Sequence, residues 1–402
     1  PKRVVQINEK LPLIESIPLS FQHLFAMFGA SVLVPILFKI NPATVLLLNG
    51  IGTLLYIFLT NGKVPSFLGS SFAYLSPTFV VMASQGFQAA QAGFVVSGLL
   101  LALVGMIIKY AGSEWIDVVF PPAAMGAIVA IIGLELAPTA ASMAGLISGG
   151  GEPLDPKYIL VSVSTLAIVL IGSVAFKGFL GIIPILVGVV GGYIIALFTG
   201  IVSFDAVKEA SWFALPTFTA PVWDISAILT ILPATLVVVA EHIGHLIVTG
   251  NICEKDFIKD PGLHRTMAGD GLSTAISGLV GSVPTTTYGE NIGVLAITKV
   301  FSVWVIGGAA VISILISFIG KLSAAITTIP NPVMGGVSLL LFGTIAASGI
   351  RMLVEQKVDY SKPKNLVLTA VVLIIGLSGA HLQIGTTTLT GMALATVVSI
   401  LI

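Results

Sequence analysis

Long apolar stretches separated by short polar connections run along the entire chain. A helix needs about 20 apolar residues to cross the hydrocarbon core of a bilayer, and most of these stretches are of that order. Two further stretches, 66–84 and 282–299, are apolar but interrupted by Gly, Ser, Thr and Pro. Counting both, the pattern predicts an all-α polytopic membrane protein with 14 transmembrane segments. The uninterrupted stretches are 18–38, 43–60, 91–109, 117–137, 158–176, 179–200, 227–252, 262–281, 300–319, 330–350, 364–380 and 387–402.

The composition agrees with a membrane protein and narrows the function classes. Only 9% of the residues are charged and 56% are hydrophobic, whereas soluble domains carry about 25% charged residues. A formal net charge of zero gives no indication of nucleic acid as a partner. The single cysteine, Cys253, excludes an intrachain disulfide and lacks the neighbours of a metal site. No phosphate-binding loop, zinc spacing or nucleophile elbow occurs, so we expect no enzyme, no ATP-driven pump and no cofactor.

The distribution of lysine and arginine predicts how the segments are oriented. If the N-terminus lies in the cytoplasm, only Lys39, Lys157, Lys208 and Lys321 of the eighteen basic residues fall outside. This excess of basic residues on the cytoplasmic side is what the positive-inside rule requires. Leaving out one interrupted stretch would scatter the later basic clusters over both sides. Both interrupted stretches are therefore predicted to cross, with both termini cytoplasmic. The chain starts without Met and stops within an apolar stretch, so we expect trimmed ends.

Three sequence similarities indicate an internal duplication. The motif F-P-P-A-A-M-G-A-I at 120–128 resembles I-P-N-P-V-M-G-G-V at 329–337. The residues G-S-S-F-A-Y from Gly69, in the first interrupted stretch, match G-S-V-P-T-T-T-Y from Gly281, at the start of the second. Gln22-His23 similarly matches Glu241-His242, and all three offsets are roughly 210 residues. Since each half would hold seven segments, the two halves must be inserted upside down relative to each other. Inverted repeats with one broken segment each are typical of transporters that bind substrate near the bilayer midplane.

The two interrupted stretches are the predicted binding region. They are rich in Ser, Thr and Tyr, which favours extended backbone over helix. Such backbone is tolerated at membrane depth only where it is buried in protein or lines a cavity. Gly289, in the second stretch, would allow a ligand to approach the backbone closely. The alternative is a kinked helix or a packing irregularity.

Two carboxylates, Glu241 and Glu290, lie inside long apolar stretches beside breaks in the pattern. An ionisable side chain at membrane depth costs roughly 2.5–3.5 kcal/mol on insertion scales and is normally functional. His245 lies four residues after Glu241, so both would share one face of a helix. A carboxylate and an imidazole placed in this way can share or pass a proton near neutral pH. The alternative is a structural ion pair.

Three other polar residues are predicted to have structural roles. We expect His23 to form structural hydrogen bonds rather than contact a substrate. Asp270 is predicted to be a helix-packing or interfacial charge close to Arg265, and Glu135 to lie at the solvated outer end of its segment.

Residues 290–299 read E-N-I-G-V-L-A-I-T-K. This is similar to the signature of the nucleobase–ascorbate transporters, the nucleobase:cation symporter-2 family, written [Q/E/P]-N-x-G-x-x-x-x-T-[R/K/G]. Glu290, Asn291, Gly293, Thr298 and Lys299 fill every fixed position. Gln22-His23 in the first segment also fits the family, and the resemblance covers the whole chain.

The resemblance implies two inverted seven-segment repeats, with short β-strands in segments 3 and 10. It further implies a core domain made of 1–113 (segments 1–4) and 227–319 (segments 8–11). A gate domain would comprise 114–226 (segments 5–7) and 320–402 (segments 12–14). Members often act as homodimers through the gate domain, and bacterial members would lie in the inner membrane.

The resemblance also assigns roles to individual residues. Glu241 and Glu290 would hydrogen-bond a pyrimidine, and backbone groups of Phe72 and Gly289 would make further ligand contacts. Tyr288 would form a wall of the pocket. Proton coupling would involve His245 together with Glu241.

The first signature position bears on the substrate. Purine members usually carry Gln there and bacterial uracil members carry Glu, as Glu290 does here. Uracil presents two N–H donors flanking a carbonyl, and carboxylates accept such bonds strongly. We therefore expect import of uracil by proton symport and alternating access. A xanthine or urate permease is the alternative, since xanthine shares the imide edge. An anion exchanger of similar fold is a further alternative, although it would favour a midplane cation.

Overall fold

A computed structural model of the chain describes residues 3–148 and 151–402. Within those residues the protein is mostly helical, with four short strands. The first part contains α1 (Leu13–Phe38), α2 (Pro42–Leu59), β1 (Leu68–Ser70), α3 (Leu75–Gln85), α4 (Phe87–Ala111), α5 (Glu114–Val119), α6 (Pro122–Leu134), α7 (Ala137–Met143), α8 (Pro156–Ala175), α9 (Pro184–Thr199) and α10 (Asp205–Glu209). The second part contains α11 (Ile225–Ile231), α12 (Pro233–Cys253), a π-helical turn (Ile258–Gly262), α13 (Leu263–Val280), β2 (Thr285–Thr287), α14 (Gly289–Thr298), α15 (Val303–Ser317), α16 (Gly320–Thr327), α17 (Asn331–Glu355), α18 (Pro363–Leu377), β3 (His381–Ile384), β4 (Thr387–Thr390) and α19 (Gly391–Leu401).

Every predicted transmembrane stretch contains one of these helices. In the described part of the chain, seven helical spans are long and apolar enough to cross a membrane, and four shorter apolar helices accompany them. The remaining stretches correspond to α3, α13 and α14, of which α3 and α14 are short because each follows a strand. The prediction of an apolar, mostly helical protein is thus confirmed, while the count of 14 crossings stays a prediction.

Capping residues in the sequence determine where several helices begin. Asn41 accepts a hydrogen bond from the Ala43 backbone N–H at 2.9 Å, directly before the proline that starts α2. Asp155 caps α8 in the same way, at 2.9 Å from the Lys157 nitrogen. Such side chains satisfy N–H groups that have no partner inside the helix, and proline at the first position needs no partner.

The strands predicted in segments 3 and 10 are confirmed. β1 and β2 pair antiparallel, with Leu68 opposite Thr287 and Ser70 opposite Thr285. All six strand residues are buried. Gly69 is required here, because a Cβ at this position would overlap the ring of Tyr288. The kinked-helix alternative is therefore wrong for both stretches.

One β-hairpin was not predicted. β3 and β4 pair antiparallel next to α18, so 387–390 belong to a strand and α19 begins only at Gly391. The expectation of a helical segment over the whole of 387–402 is therefore wrong for 387–390. Repeated threonines favour extended backbone. Gly385 turns the chain with a φ of 64°.

The helices pack into two groups. In the first, which we call the strand group, α13 packs against α4 and α2, and α15 packs against α2 and α1. The helices α3, α11, α12 and α14 complete this group around β1 and β2. In the second, which we call the α17 group, α17 packs against α6 and α8, and α18 against α6 and α19. Glycines allow close approach in both, as expected of helices in a bilayer. A Cβ on Gly98 would overlap the Gly271 carbonyl, and one on Gly349 would overlap the backbone of α6 at Ala130.

Candidate functional site

The site lies where β1 and β2 pair near the middle of the protein and two helices begin. We call this pair of strands, Leu68–Ser70 with Thr285–Thr287, the strand crossing. α3 starts soon after β1 and α14 starts directly after β2, and antiparallel strands send the two helices in opposite directions. Backbone bonds beyond the ladder hold the crossing together, from Ser71 N–H to the Pro284 carbonyl at 2.9 Å and from Tyr288 N–H to the Phe67 carbonyl at 3.0 Å. Helix N-termini carry partial positive charge and N–H groups without intrahelical partners. The crossing therefore places two polar helix ends inside an apolar protein.

Tyr288 fixes the geometry of the crossing. It is only 4% exposed, and its hydroxyl donates to the Ser70 carbonyl at 2.8 Å. The Ser70 hydroxyl in turn donates to the Ser31 carbonyl of α1 at 2.9 Å. This chain of bonds ties β1 and β2 to α1, so Tyr288 braces the strands whatever else it contacts.

Gly289 and Glu290 are accessible while their neighbours are not. Gly289 is exposed and Glu290 half-buried in the first turn of α14, whereas β2 and Tyr288 are buried. Asn291, the next residue, is 1% exposed. Its side-chain amide donates to the His23 carbonyl at 3.0 Å and lies 3.1 Å from His23 Nδ1. The signature asparagine thus ties α14 to α1, and His23 has the structural hydrogen bonds expected of it.

Glu241 and His245 occupy the face of α12 that looks toward this crossing. Both are half-buried. His245 Nδ1 lies 2.9 Å from the Thr287 hydroxyl at the end of β2. Its Nε2 is 3.7 Å from the position a Cβ would take on Gly289. α12 and α14 are also in contact. The structure therefore brings Glu241, His245, Tyr288, Gly289 and Glu290 to one region.

A buried histidine–aspartate hydrogen bond lies on the other face of α12. His242 Nδ1 lies 3.0 Å from Asp270 Oδ2, and both side chains are 0% exposed. His242 Nε2 lies 2.9 Å from the Thr266 hydroxyl. The prediction that Asp270 lies close to Arg265 is wrong, because the Arg265 side chain is exposed and donates a hydrogen bond to the Leu59 carbonyl at 3.2 Å. Sequence spacing alone missed this pair, since it depends on how α12 and α13 face each other.

Glu135 lies away from the strand crossing at the end of α6. The expectation that it is solvated is wrong, because it is half-buried and its Oε2 accepts a hydrogen bond from the Met392 N–H at 3.1 Å. Met392 is in the first turn of α19. Gly391, with a φ of 55°, leaves room for this contact, since a Cβ there would overlap the Glu135 carboxylate.

Two neighbouring carboxylates act on Glu241 at the site. Asp270 and Glu290 are both close enough to Glu241 to repel its negative charge. Like charges in a weakly polar interior disfavour the state in which all are ionised. The arrangement can therefore accept N–H donors from a ligand and can take up a proton.

Phe72 lies just after β1 and is half-buried. Its ring meets that of Phe342 edge-on, with centroids 6.3 Å apart and planes at 78°. Phe342 belongs to α17, so this contact joins the two helix groups beside the site. Nothing in the sequence distinguished Phe342 from other apolar residues of its helix. Among the described residues, no group of His, Cys, Asp or Glu could hold a metal ion.

Comparison with known proteins identifies the family. The model of the permease family matches residues 14–385. The chain belongs to the permease family. This permease is 62% identical to a uracil permease of Paenibacillus larvae over 403 residues, covering 100% of the chain and 96% of that protein. It is 61% identical to the uracil permease of Escherichia coli K12, and the match covers 99% of the chain and 93% of that protein. The uracil permease of Bacillus subtilis is 47% identical, and the match covers 95% of the chain and 90% of that protein.

The resemblance inferred from the signature is confirmed by these relatives, which are permeases rather than enzymes. Solved structures support the fold of this permease. The transmembrane domain of a cyanobacterium bicarbonate transporter superimposes with a TM-score of 0.70 at 14% identity, covering 99% of both chains. A murine solute carrier 26 family anion transporter, member A9, superimposes with a TM-score of 0.74 at 9% identity. The match covers 98% of the permease and 68% of the transporter. At such identities the similarity concerns the fold alone.

Proposed function

We propose that this permease is a symporter that imports uracil together with a proton across the bacterial inner membrane. The names of relatives at 61 and 62% identity support the substrate. The observation that carries the proposal is the position of Glu241 and Glu290. They belong to different helices, both reach the strand crossing, and both remain partly accessible inside an apolar protein.

The recognition chemistry follows from uracil's alternating donors and acceptors. Its N–H groups would donate to the carboxylates of Glu290 and Glu241, and bonds to charged acceptors are the strong ones. A uracil carbonyl would accept from backbone N–H groups near Gly289, where no side chain interferes, or near Phe72. Tyr288 would close one side of the pocket while it braces the strands.

Proton coupling would follow from the repulsion among the carboxylates. Uracil is neutral, so its binding between Glu241 and Glu290 does not reduce the repulsion between the two carboxylates. A proton taken up with it would relieve repulsion and supply a donor. Glu241 and His245 lie on one helix face and are the proposed carriers, titrating as a unit rather than separately.

Alternating access would use the two helix groups as rigid bodies. The strand group corresponds to the proposed core, 1–113 and 227–319, although α11 already begins at Ile225. The α17 group corresponds to the proposed gate, 114–226 and 320–402. Transporters with inverted repeats move one such bundle against the other around a midplane site. We further propose a homodimer through the gate and cytoplasmic termini.

A purine permease remains the second candidate because xanthine has the same imide edge as uracil. An anion exchanger is a further candidate, because a bicarbonate transporter and an anion transporter have a similar fold. However, the site gathers carboxylates, which would repel an anion.

Uptake of labelled uracil into liposomes containing the purified protein tests the proposal. We expect uptake above that of protein-free liposomes, blocked by excess unlabelled uracil and much less by xanthine or bicarbonate. Stronger competition by xanthine would favour the purine permease. Absence of uracil uptake by a folded protein would contradict the proposed function.

A further inference from the structure

Thr287, the last residue of β2, contacts the histidine to which the proposed function assigns the proton. Its hydroxyl oxygen lies 2.9 Å from His245 Nδ1. Thr287 is 3% exposed and pairs with Leu68 of β1. The N–H of the next residue, Tyr288, donates to the Phe67 carbonyl at 3.0 Å. The hydroxyl that meets His245 therefore belongs to a buried part of the strand crossing that backbone pairing holds in place.

The two nitrogens of the His245 ring have different surroundings. Nδ1 contacts Thr287, whereas Nε2 is 3.7 Å from the position that a Cβ would take on Gly289. Gly289 is exposed, and Glu290 after it is half-buried. Nε2 is thus on the accessible side of the crossing and Nδ1 on the buried side. In a histidine, the hydrogen bond made by one ring nitrogen determines what the other can do.

Thr287 can keep its bond to His245 while the ring gains and loses a proton. A threonine hydroxyl oxygen accepts a hydrogen bond whichever way its own hydrogen points. If Nδ1–H donates to this oxygen, the neutral ring leaves Nε2 without a hydrogen, and the charged ring adds one there. The bond at Nδ1 is the same in both states, so proton uptake at Nε2 requires no rotation of the ring.

Other titratable groups face His245 from its own helix and from neighbouring ones. Glu241 lies one turn earlier on α12, and Glu290 lies on α14, which packs against α12. His242, three residues before His245, is bonded to Asp270 of α13. Glu241 and Glu290 are thus the titratable neighbours that belong to the site. The remaining titratable side chains within the helices that pack against α12 are at helix ends, His264 and Arg265 at the start of α13 and Lys109 and Tyr110 in the last turn of α4.

We propose that Thr287 is a positioning residue for His245, which accepts a hydrogen bond from Nδ1–H and so leaves Nε2 as the nitrogen that takes up and releases the proton. The proposal rests on the proposed symport and adds to it the atom at which the proton is held. Without the hydroxyl, Nδ1–H loses its acceptor on β2, and the hydrogen of the neutral ring shifts toward Nε2. The net value of one such bond corresponds to a roughly 2- to 13-fold change in the ratio of the two tautomers.

Three variants of β2 separate the hydroxyl from the packing of the strand. Thr287→Val removes the hydroxyl and keeps a β-branched side chain, which suits a strand. Thr287→Ser keeps the hydroxyl and should restore the parent behaviour. Thr286→Val is the matched control, because Thr286 is also 3% exposed and its hydroxyl makes no hydrogen bond within the described residues.

Nitrogen-15 NMR of the histidine-labelled protein reports the tautomer directly and needs neither uracil nor a proton gradient. The chain has five histidines, and the His245 signals are those lost in His245→Gln. We expect the parent ring to carry its hydrogen on Nδ1 when neutral and to gain a second one on Nε2 as the pH is lowered. Thr287→Val should shift the tautomer ratio toward Nε2–H by roughly 2- to 13-fold, while Thr287→Ser and Thr286→Val keep the parent ratio.

A neutral parent ring with its hydrogen on Nε2 would overturn the proposal, and this measurement does not depend on the folding of any variant. An unchanged ratio in folded Thr287→Val, or an equal change in Thr286→Val, would also overturn it. In proteoliposomes under an inward proton gradient, Thr287→Val should accumulate less labelled uracil than the parent and Thr287→Ser should match it. Equal accumulation by Thr287→Val would contradict the role of Thr287. Absence of uracil transport by the parent would contradict the proposed function alone, because the NMR result is obtained without uracil.

Discussion

At the scale of single residues, sequence reasoning identified side chains that the fold then brings together. Glu241 and Glu290 are predicted because charges are rare in apolar stretches, and His245 because it lies four residues after Glu241. All three lie at the strand crossing. The His242–Asp270 pair was missed because it depends on the rotation of α12 against α13. A sequence gives the face on which a residue lies, but it does not give which neighbour that face meets.

Replacement of Glu290 tests direct recognition. Glu290→Ala removes a proposed charge-assisted hydrogen bond worth about 1.5–3 kcal/mol. We therefore expect uracil affinity to fall roughly 10- to 150-fold in calorimetric titration. Glu209→Ala, an exposed carboxylate of α10, is the matched control and should bind like the parent. An affinity for Glu290→Ala within a factor of about three of the parent, in a protein with parent melting temperature, would refute direct contact.

Replacement of His245 separates proton coupling from binding. His245→Ala should largely abolish accumulation under an inward proton gradient, yet weaken uracil binding less than Glu241→Ala does. The reason is that Glu241 is proposed both to bind uracil and to carry the proton, whereas His245 contacts Thr287 rather than the ligand. Gradient-driven uptake and calorimetric affinity are measured on the same preparations. Undiminished accumulation in His245→Ala would make this histidine structural and place the proton elsewhere.

At the scale of elements, the composition of each stretch predicted most of the fold. Gly, Ser, Thr and Tyr interrupted the helical pattern where β1 and β2 form. The β3–β4 hairpin was missed because its threonines adjoin the apolar run of α19, so the hydropathy pattern gave no boundary at Gly391. A short strand forms only where another strand pairs with it, and the hydropathy pattern of one stretch does not show which other stretch will be its partner.

The strand crossing should tolerate no side chain at Gly69. Gly69→Ala would push a methyl group into the Tyr288 ring, and such overpacking typically costs about 1–3 kcal/mol. We expect a lower melting temperature and weaker uracil binding together. Gly343→Ala is the control, because a Cβ there meets no neighbouring atom and alanine favours a helix by roughly 0.5–1 kcal/mol. Equal melting temperatures for the two variants would show that the crossing is not tightly packed.

At the scale of the whole molecule, the lysine and arginine distribution predicts topology. Lys157 and Lys259 are both exposed, and they are predicted on opposite sides of the membrane. Each is changed to cysteine in a Cys253→Ala background and treated with an impermeant maleimide in intact cells. We expect labelling at Lys157→Cys and none at Lys259→Cys until the cells are opened. Equal labelling of both from outside would contradict the orientation and the 14-segment count.

The central claim is that uracil and a proton move together through the site between Glu241 and Glu290. The most direct measurement is accumulation of labelled uracil in proteoliposomes with an acidic exterior and a neutral interior. We predict that uracil accumulates inside above its external concentration and that a protonophore, which collapses the proton gradient, abolishes this accumulation. At equal pH on both sides, uracil should only equilibrate. Uphill accumulation that persists at equal pH, or equilibration alone despite a maintained gradient, would contradict proton-coupled transport.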